Sequence, residues 1–425
     1  MKNKFIKNTF LLIMGGFITK ALGMIIKIIM TRNISTYSMS LYTLTIPTYN
    51  LFITLVTLSL TISISKLVSE KRINSEKIMS SSLFLSIIVS IISTIIMIIF
   101  VKPISLLLHN NKLYYPLLSI ILSLPFISIS TCIRGYFFGK NKMIVQVVSN
   151  FFEQLSRIIM FIIILPKINN DIQAVTFIIG SNMISEIVSI ITMSLFLPKR
   201  KIRFRRPDRS VTTELLKISV PNTTQKLIAV ISYFFEPIIL TNLLIMNGYT
   251  NNYISNEYGI INGYTLALLM LPSFFTNAIS QVIIPNISSA YINKKYDYIK
   301  TKIKQVLVLS LLIGISYTLI VMLNKEWIMN LIYNTTKGTN YINLIAPVFI
   351  LLYLEGPLNS ILQSFNKSKT ILLTSIMGII IKYIIMIILS FMKFGIYSFI
   401  IPMLINIIVV VLLNAIIIKK EINSF

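Results

Sequence analysis

The chain has 425 residues, 55% of them hydrophobic and only 12% charged, with a mean hydropathy of +0.82; that composition excludes a soluble globular protein and describes a polytopic membrane protein. A single Cys (Cys132) and a single His (His109) exclude a disulfide framework, a zinc site of the usual ligand sets and a Cys/His nucleophile pair. Lys and Arg number 39 against 13 acids, a net charge of +26, and the placement of that charge separates membrane topology from nucleic-acid binding.

Crossing about 30 Å of hydrocarbon takes roughly 20 apolar residues, and about twelve such stretches follow one another along the chain. They run over 9–30, 40–64, 80–101, 114–133, 144–166, 172–197, 214–246, 258–283, 304–324, 341–363, 370–391 and 395–418. The expected fold is therefore all-α: a polytopic bundle of about 12 transmembrane helices. Phe10–Thr19 has the length of a signal-peptide core, but Lys20 and Lys27 follow within a continuing apolar run with no small-residue cleavage site. It reads as a retained first helix.

Loops on alternate sides differ sharply in charge. Lys2, Lys4 and Lys7 precede the first span, and Lys66 to Lys77, then Arg134, Lys140 and Lys142, then the later loops of the same side bring the total to 27 cations, against seven on the other side. Positive loops stay in the cytoplasm, which places both termini there in the cell membrane and accounts for the net charge without nucleic acid. The densest block, KRKIRFRRPDR at 199–209, falls between spans six and seven. The domain reading is an N-terminal six-helix lobe (1–198), a basic cytoplasmic linker (199–213) that also meets anionic lipid heads, and a C-terminal six-helix lobe (214–425). FITKALGMII around Lys20 and TTQKLIAVIS around Lys226 give each lobe a lysine early in its first helix.

Five cations (Lys20, Lys27, Arg157, Lys226, Lys382) and four acids (Glu153, Glu186, Glu236, Glu355) fall inside the spans. A charge at the bilayer centre costs about 2.5–3.5 kcal/mol even on the lenient scale, so these residues should face a polar interior or one another. Their spacing agrees: Lys20, Gly23 and Lys27 share one helix face, as do Gln146, Asn150, Glu153 and Arg157, and Glu355, Asn359 and Gln363. Polar stripes on several spans predict a hydrated chamber at the interface of the halves. Glu153 and Arg157, four apart, form an intrahelical structural pair in this reading. Lys20 and Lys226 are expected to bind substrate, while Lys27 either binds substrate or snorkels to the interface. Lys382 is shared between substrate and a structural partner such as Glu355. Glu186, Glu236 and Glu355 are ion- or proton-coupling candidates, or partners of the lysines. A cationic chamber selects an anion, for which Lys is a competent point charge, and an inside-negative potential aids anion export by about 2.3 kcal/mol per charge per 100 mV.

The segment Cys132–Ile158, CIRGYFFGKNKMIVQVVSNFFEQLSRI, resembles the stage V sporulation protein B family of the multidrug/oligosaccharidyl-lipid/polysaccharide exporter superfamily. ISISKLVSE at 62–70, LLKISVPNTTQKL at 215–227, YGIINGYTLALLMLPSFF at 258–275 and ILQSFNKSK at 361–369 extend the resemblance through nearly the whole chain. It implies two six-helix lobes in a V-shaped cavity, alternating access, and flipping of a polyprenyl-diphosphate-linked saccharide such as a peptidoglycan precursor or polysaccharide repeat unit. Lys20 and Lys27 match the basic positions of the first helix in the related lipid II flippases, and Lys226 the corresponding stretch of the second lobe. The implied partners are that lipid-linked saccharide diphosphate, membrane lipids and cell-wall synthesis enzymes. Those relatives usually have fourteen helices, and the sequence reads as twelve, without the pair associated with a groove for the lipid tail.

Two other functions compete. An ion-coupled multidrug exporter of the same superfamily would bind its cation through Glu186, Glu236 or Glu355, against the repulsion of five interior cations. A polyprenyl-phosphate-dependent glycosyltransferase would need a catalytic acid in an exterior loop, and Asp171, Glu257 and Glu326 are isolated there. With no Gly-rich phosphate loop, metal-ligand cluster or soluble nucleotide-hydrolysing domain, the sequence predicts no enzyme, no cofactor and no metal.

Overall fold

The computed structural model describes residues 2–197 and 207–423 and is all-helical. In chain order the helices are α1 (Lys2–Asn33), α2 (Thr36–Thr57), α3 (Leu60–Glu70), α4 (Ser75–Leu107), α5 (Tyr114–Gly139), α6 (Met143–Ile164), α7 (Asp171–Ser194) and α8 (Arg209–Met246). There follow α9 (Asn251–Ile260), α10 (Leu266–Leu269), α11 (Leu271–Ile292), α12 (Tyr296–Leu323), α13 (Lys325–Tyr333), α14 (Thr339–Ser364), α15 (Ser368–Phe391) and α16 (Tyr397–Asn423). Among the described residues, eleven spans are long and apolar enough to cross a membrane, counting α2 and α3 as one, and the bent run from α9 into α11 makes a twelfth. The chain divides into two compact units, Met1–Ile238 and Ile239–Phe425, so α8 contributes to both. Most of the basic linker, 198–206, lies outside the described residues.

The spans are built with polar atoms inward and hydrocarbon outward. On α4, Ser82, Ser86 and Ser90 are buried, and each hydroxyl donates to the carbonyl three residues back. Ile91, Ile92, Ile95, Ile98 and Ile99 point outward and are more than half exposed. Small, internally satisfied residues let helices approach closely where lipid is as apolar as leucine. The same rule governs α5 against α3: a Cβ at Gly135 would lie 2.9 Å from Ile64 Cβ, and one at Gly139 2.6 Å from Val68 Cβ. This GxxxG face closes a core of Leu60, Ile64, Ile78, Cys132 and Phe137. Val211 and Leu215 join that core from the start of α8, and the Ser63 and Ser219 hydroxyls meet at 2.7 Å.

Two spans are broken. Between α2 and α3, Leu58 and Ser59 both take left-handed backbone angles (φ 42° and 49°), a conformation that costs roughly 1–2 kcal/mol per non-glycine residue. Ser128 and Thr131 of α5 face the break, the Ser128 hydroxyl donating to the Val56 carbonyl and Thr61 donating to the Thr131 carbonyl. In the second unit, a π-helical turn (Ile261–Thr265) precedes a 45° bend at Met270. Here Thr265 donates to the carbonyl of Gly338, whose φ of +93° and lack of Cβ both serve the contact.

Candidate functional site

In the first unit the polar stripe of α6 meets those of α5 and α7. Glu153 and Glu186 are buried, with side chains 11% exposed. Arg134 of α5 holds both carboxylates, its guanidinium 2.7 Å from Glu153 and 3.3 Å from Glu186, and it also reaches Ser189 Oγ at 3.1 Å. Arg157 lies 3.7 Å from the other Glu153 oxygen, one helical turn away, and donates to Ser185 Oγ at 3.3 Å. Ser149 and Ser189 share a 2.6 Å hydrogen bond, and Gln146 donates to Asn150 at 2.6 Å. A buried carboxylate is tolerated only when paired and hydrogen-bonded, and this cluster meets that condition for both acids.

Arg134 corrects the sequence reading. Counted there among the cytoplasmic loop cations, it sits inside α5, which continues five residues beyond it to Gly139. A span boundary at 133 stops at the charge, whereas the GxxxG contact with α3 carries the helix through it. The pairing of Glu153 is accordingly wider than the intrahelical Glu153 and Arg157 pair.

Lys27 of α1 is half-buried beside this cluster, its Nζ 3.8 Å from Met39 Sδ and 5.4 Å from the centroid of the Tyr42 ring. Tyr42 and Tyr49 of α2 lie within electrostatic range of Arg157. Lys27, Arg134 and Arg157 against Glu153 and Glu186 leave one positive charge in excess. Lys20 is exposed on the same face of α1, where Gly16 and Gly23 have nothing within 4 Å of a built Cβ. That face is open, with two cations on it. On α8, Lys226 is exposed and Glu236 buried.

The second unit holds a separate polar network. Glu355 and Asn359 lie one turn apart on α14, Asn414 of α16 donates to Asn359 at 3.0 Å, and Thr374 of α15 donates to Asn414 at 2.8 Å. Lys382 is buried on the face of α15 that also carries Thr374 and Gly378, with its ammonium 5.0 Å from the Tyr383 ring centroid. Sequence reasoning picked out Glu355 and Asn359 by their spacing but missed Asn414 and Thr374, polar residues on strongly apolar helices. Among the described residues, no group of three or more His, Cys, Asp or Glu side chains could hold a metal ion.

Comparison with known proteins places this arrangement. Residues 5–291 match the family model described as polysaccharide biosynthesis protein, and residues 256–424 match a second model of the same description. Stage V sporulation protein B of Bacillus subtilis (strain 168) is 29% identical over 90% of this chain and 77% of its own length. Lipid II flippase MurJ of the same organism is 23% identical over 91% of this chain and 77% of its own. The fold is similar to an inward-facing multidrug resistance MATE family transporter of the MOP superfamily, with a TM-score of 0.77 at 14% identity over 96% of this chain and 95% of that one. The chain belongs to the polysaccharide biosynthesis protein family, and its long apolar helices make it a multi-pass membrane protein.

Proposed function

We propose that this transporter is a flippase that carries a polyprenyl-diphosphate-linked saccharide, such as a peptidoglycan precursor or polysaccharide repeat unit, from the inner to the outer leaflet by alternating access. The observation that carries the reading is the excess of cations over acids in the first unit. Arg134 and Arg157 neutralise Glu153 and Glu186, which leaves Lys27, and Lys20 on the open face of α1, as charge available to an anion. Lys226 and Lys382 complete the proposed substrate-binding set. Both termini lie in the cytoplasm in this reading, the lobes 1–198 and 214–425 exchange access about the basic linker 199–213, and cell-wall synthesis enzymes supply or receive the cargo. Similarity to a protein named lipid II flippase supports a lipid-linked substrate.

Ion coupling falls to Glu355 in preference to Glu186, because Arg134 already occupies the Glu186 carboxylate, and Glu236 is a second candidate. Export of cationic drugs is the second reading, and Glu355 is its support: among the described residues this acid forms no ion pair.

The test is binding of a polyprenyl-diphosphate saccharide to the purified protein by native mass spectrometry, with a cationic dye as competitor. Selective binding that weakens in Lys20→Ala, Lys27→Ala and Lys226→Ala supports the flippase and leads to a flipping assay in liposomes. Equal binding by wild type and all three variants removes the proposed site, and preference for the dye moves the assignment to the acids.

A further inference from the structure

A groove of about 700 Å³ runs along the membrane-spanning faces of α5 and α7, and no member of the charged cluster lines it. We propose that it is a binding site for one acyl chain of a bilayer phospholipid, held as a structural lipid. This rests on the groove alone and not on the transported substrate.

The surface of the groove is chemically apolar. Leu122, Phe177 and Ile184 form its walls, with Leu122 53% and Ile184 46% exposed. Its floor carries Ser119, Thr176 and Ser181, but each hydroxyl already donates to a carbonyl of its own helix at 2.7 Å. They offer small methylene or methyl surfaces and no unsatisfied hydrogen bond, which suits hydrocarbon. Gly180 adds depth: a Cβ there would meet nothing nearer than Ser119 Cβ at 3.9 Å.

Length and charge identify the occupant. From Ile172 to Ile184 the α7 wall rises about 18 Å at ~1.5 Å per residue, close to the ~15 Å half-thickness of the hydrocarbon core. One acyl chain of one leaflet fills it, whereas a polyprenyl chain of many isoprene units overruns it. At the end where α5 and α7 begin stand Tyr115 and Gln173, and no intramolecular hydrogen bond holds the Tyr115 hydroxyl or the Gln173 carboxamide among the described residues. These are neutral groups at the level where tyrosine anchors to lipid head groups. None of the residues lining the groove is charged, so it offers no counter-ion to a diphosphate and is suited to a zwitterionic phospholipid.

The experiment is native mass spectrometry of the full chain, stripped of lipid in detergent and then offered palmitoyl-oleoyl phosphatidylethanolamine, with polyprenyl diphosphate as competitor. Gly180→Leu fills the floor and Ile184→Trp blocks the wall, while Ile95→Trp, on the outward face of α4 and 52% exposed, is the control. The expected result is one tightly retained phosphatidylethanolamine in wild type and Ile95→Trp, with retention about tenfold weaker in both groove variants. Equal retention in all four proteins overturns the proposal. One-for-one displacement of the phospholipid by polyprenyl diphosphate, lost in the groove variants, also overturns it and assigns the groove to the substrate tail.

Discussion

The Tyr353 hydroxyl of α14 donates to the Leu269 carbonyl at 2.7 Å, directly before the bend between α10 and α11. At the neighbouring carbonyl, Leu268, the Tyr317 hydroxyl of α12 donates at 2.9 Å. Residue 272 would normally supply the helical N–H to Leu268, but Pro272 has none. Ser273, which would supply Leu269, bonds Met270 instead. The bend frees two carbonyls within a span, and two tyrosines from different helices donate to them. An unsatisfied carbonyl in a membrane span is costly, which is why broken helices persist only where neighbours supply donors.

Removing the donor from Leu268 should therefore matter only while Pro272 is present. Tyr317→Phe is expected to lower stability by about 0.6–1.7 kcal/mol, the range of interhelical hydrogen bonds in membranes. On a Pro272→Ala background, which restores an N–H to the helix, the same change should cost close to nothing. Thermal unfolding in detergent of the four proteins of this cycle checks it. Equal losses on both backgrounds would show that the Tyr317 hydroxyl does not compensate for the proline.

Tyr353 can reach Leu269 because α12 leaves room for its ring. A Cβ at Gly314 would lie 2.6 Å from Tyr353 Cδ2, and Tyr353 is fully buried. Gly314→Ala should lower stability by about 1–3 kcal/mol through overpacking. Paired with Tyr353→Leu, which vacates the space, it should cost less than the sum of the two single changes, and unfolding midpoints of the singles and the double measure that coupling. A Gly314→Ala protein as stable as wild type would mean that the ring moves freely and the tyrosine cap is not fixed by packing.

Arg134 serves two buried carboxylates, so its loss leaves more charge uncompensated than the loss of Arg157. Arg134→Met is expected to reduce stability by about 3–5 kcal/mol, as when one partner of a buried pair is removed, and Arg157→Met by less. Adding Glu186→Gln to Arg134→Met should recover part of the loss, since Arg157 remains for Glu153. The folded yield and melting temperature of the single and double variants report this. No recovery in the double variant would argue that Arg134 acts through packing rather than charge.

The stretches of about twenty apolar residues gave the spans, because a hydrocarbon solvent imposes that length on any helix that crosses it. The face shared by Lys20, Gly23 and Lys27 was likewise readable, since helical period alone aligns them. The partners across helices were not. Arg134 looked like a loop cation because charge near a span end usually is one, yet Gly135 and Gly139 directly after it mark a close helix contact, a signal present in the sequence. The breaks at Leu58 and Met270 depend on donors from α5, α12 and α14 that are distant in the chain. Pro272 hinted at the second. Nothing local marks the first, where neither residue is Gly or Asn.

The start of α8 gives a pH-dependent prediction outside the membrane. Asp208 accepts from the Ser210 hydroxyl at 2.7 Å and the Ser210 N–H at 3.0 Å, and it lies 3.5 Å from Lys77. The Ser210 bonds first, then the Lys77 ammonium, hold its carboxyl below the usual aspartate range. A carboxyl lowered on folding adds stability above its unfolded value, near 3.9, and that contribution disappears as pH falls through the lower folded value. The Asp208 backbone N–H also donates to Ser81 Oγ, so this cap ties α8 to α4 through main chain as well as side chain. Asp208→Ala should thus lower the melting temperature at pH 7, with the difference from wild type shrinking below about pH 4. Asp208→Asn, which keeps an acceptor for the Ser210 N–H but loses the charge, should fall between the two at pH 7. A wild-type to Asp208→Ala difference that stays constant from pH 7 to pH 3 would assign the stabilisation to the neutral hydrogen bonds alone.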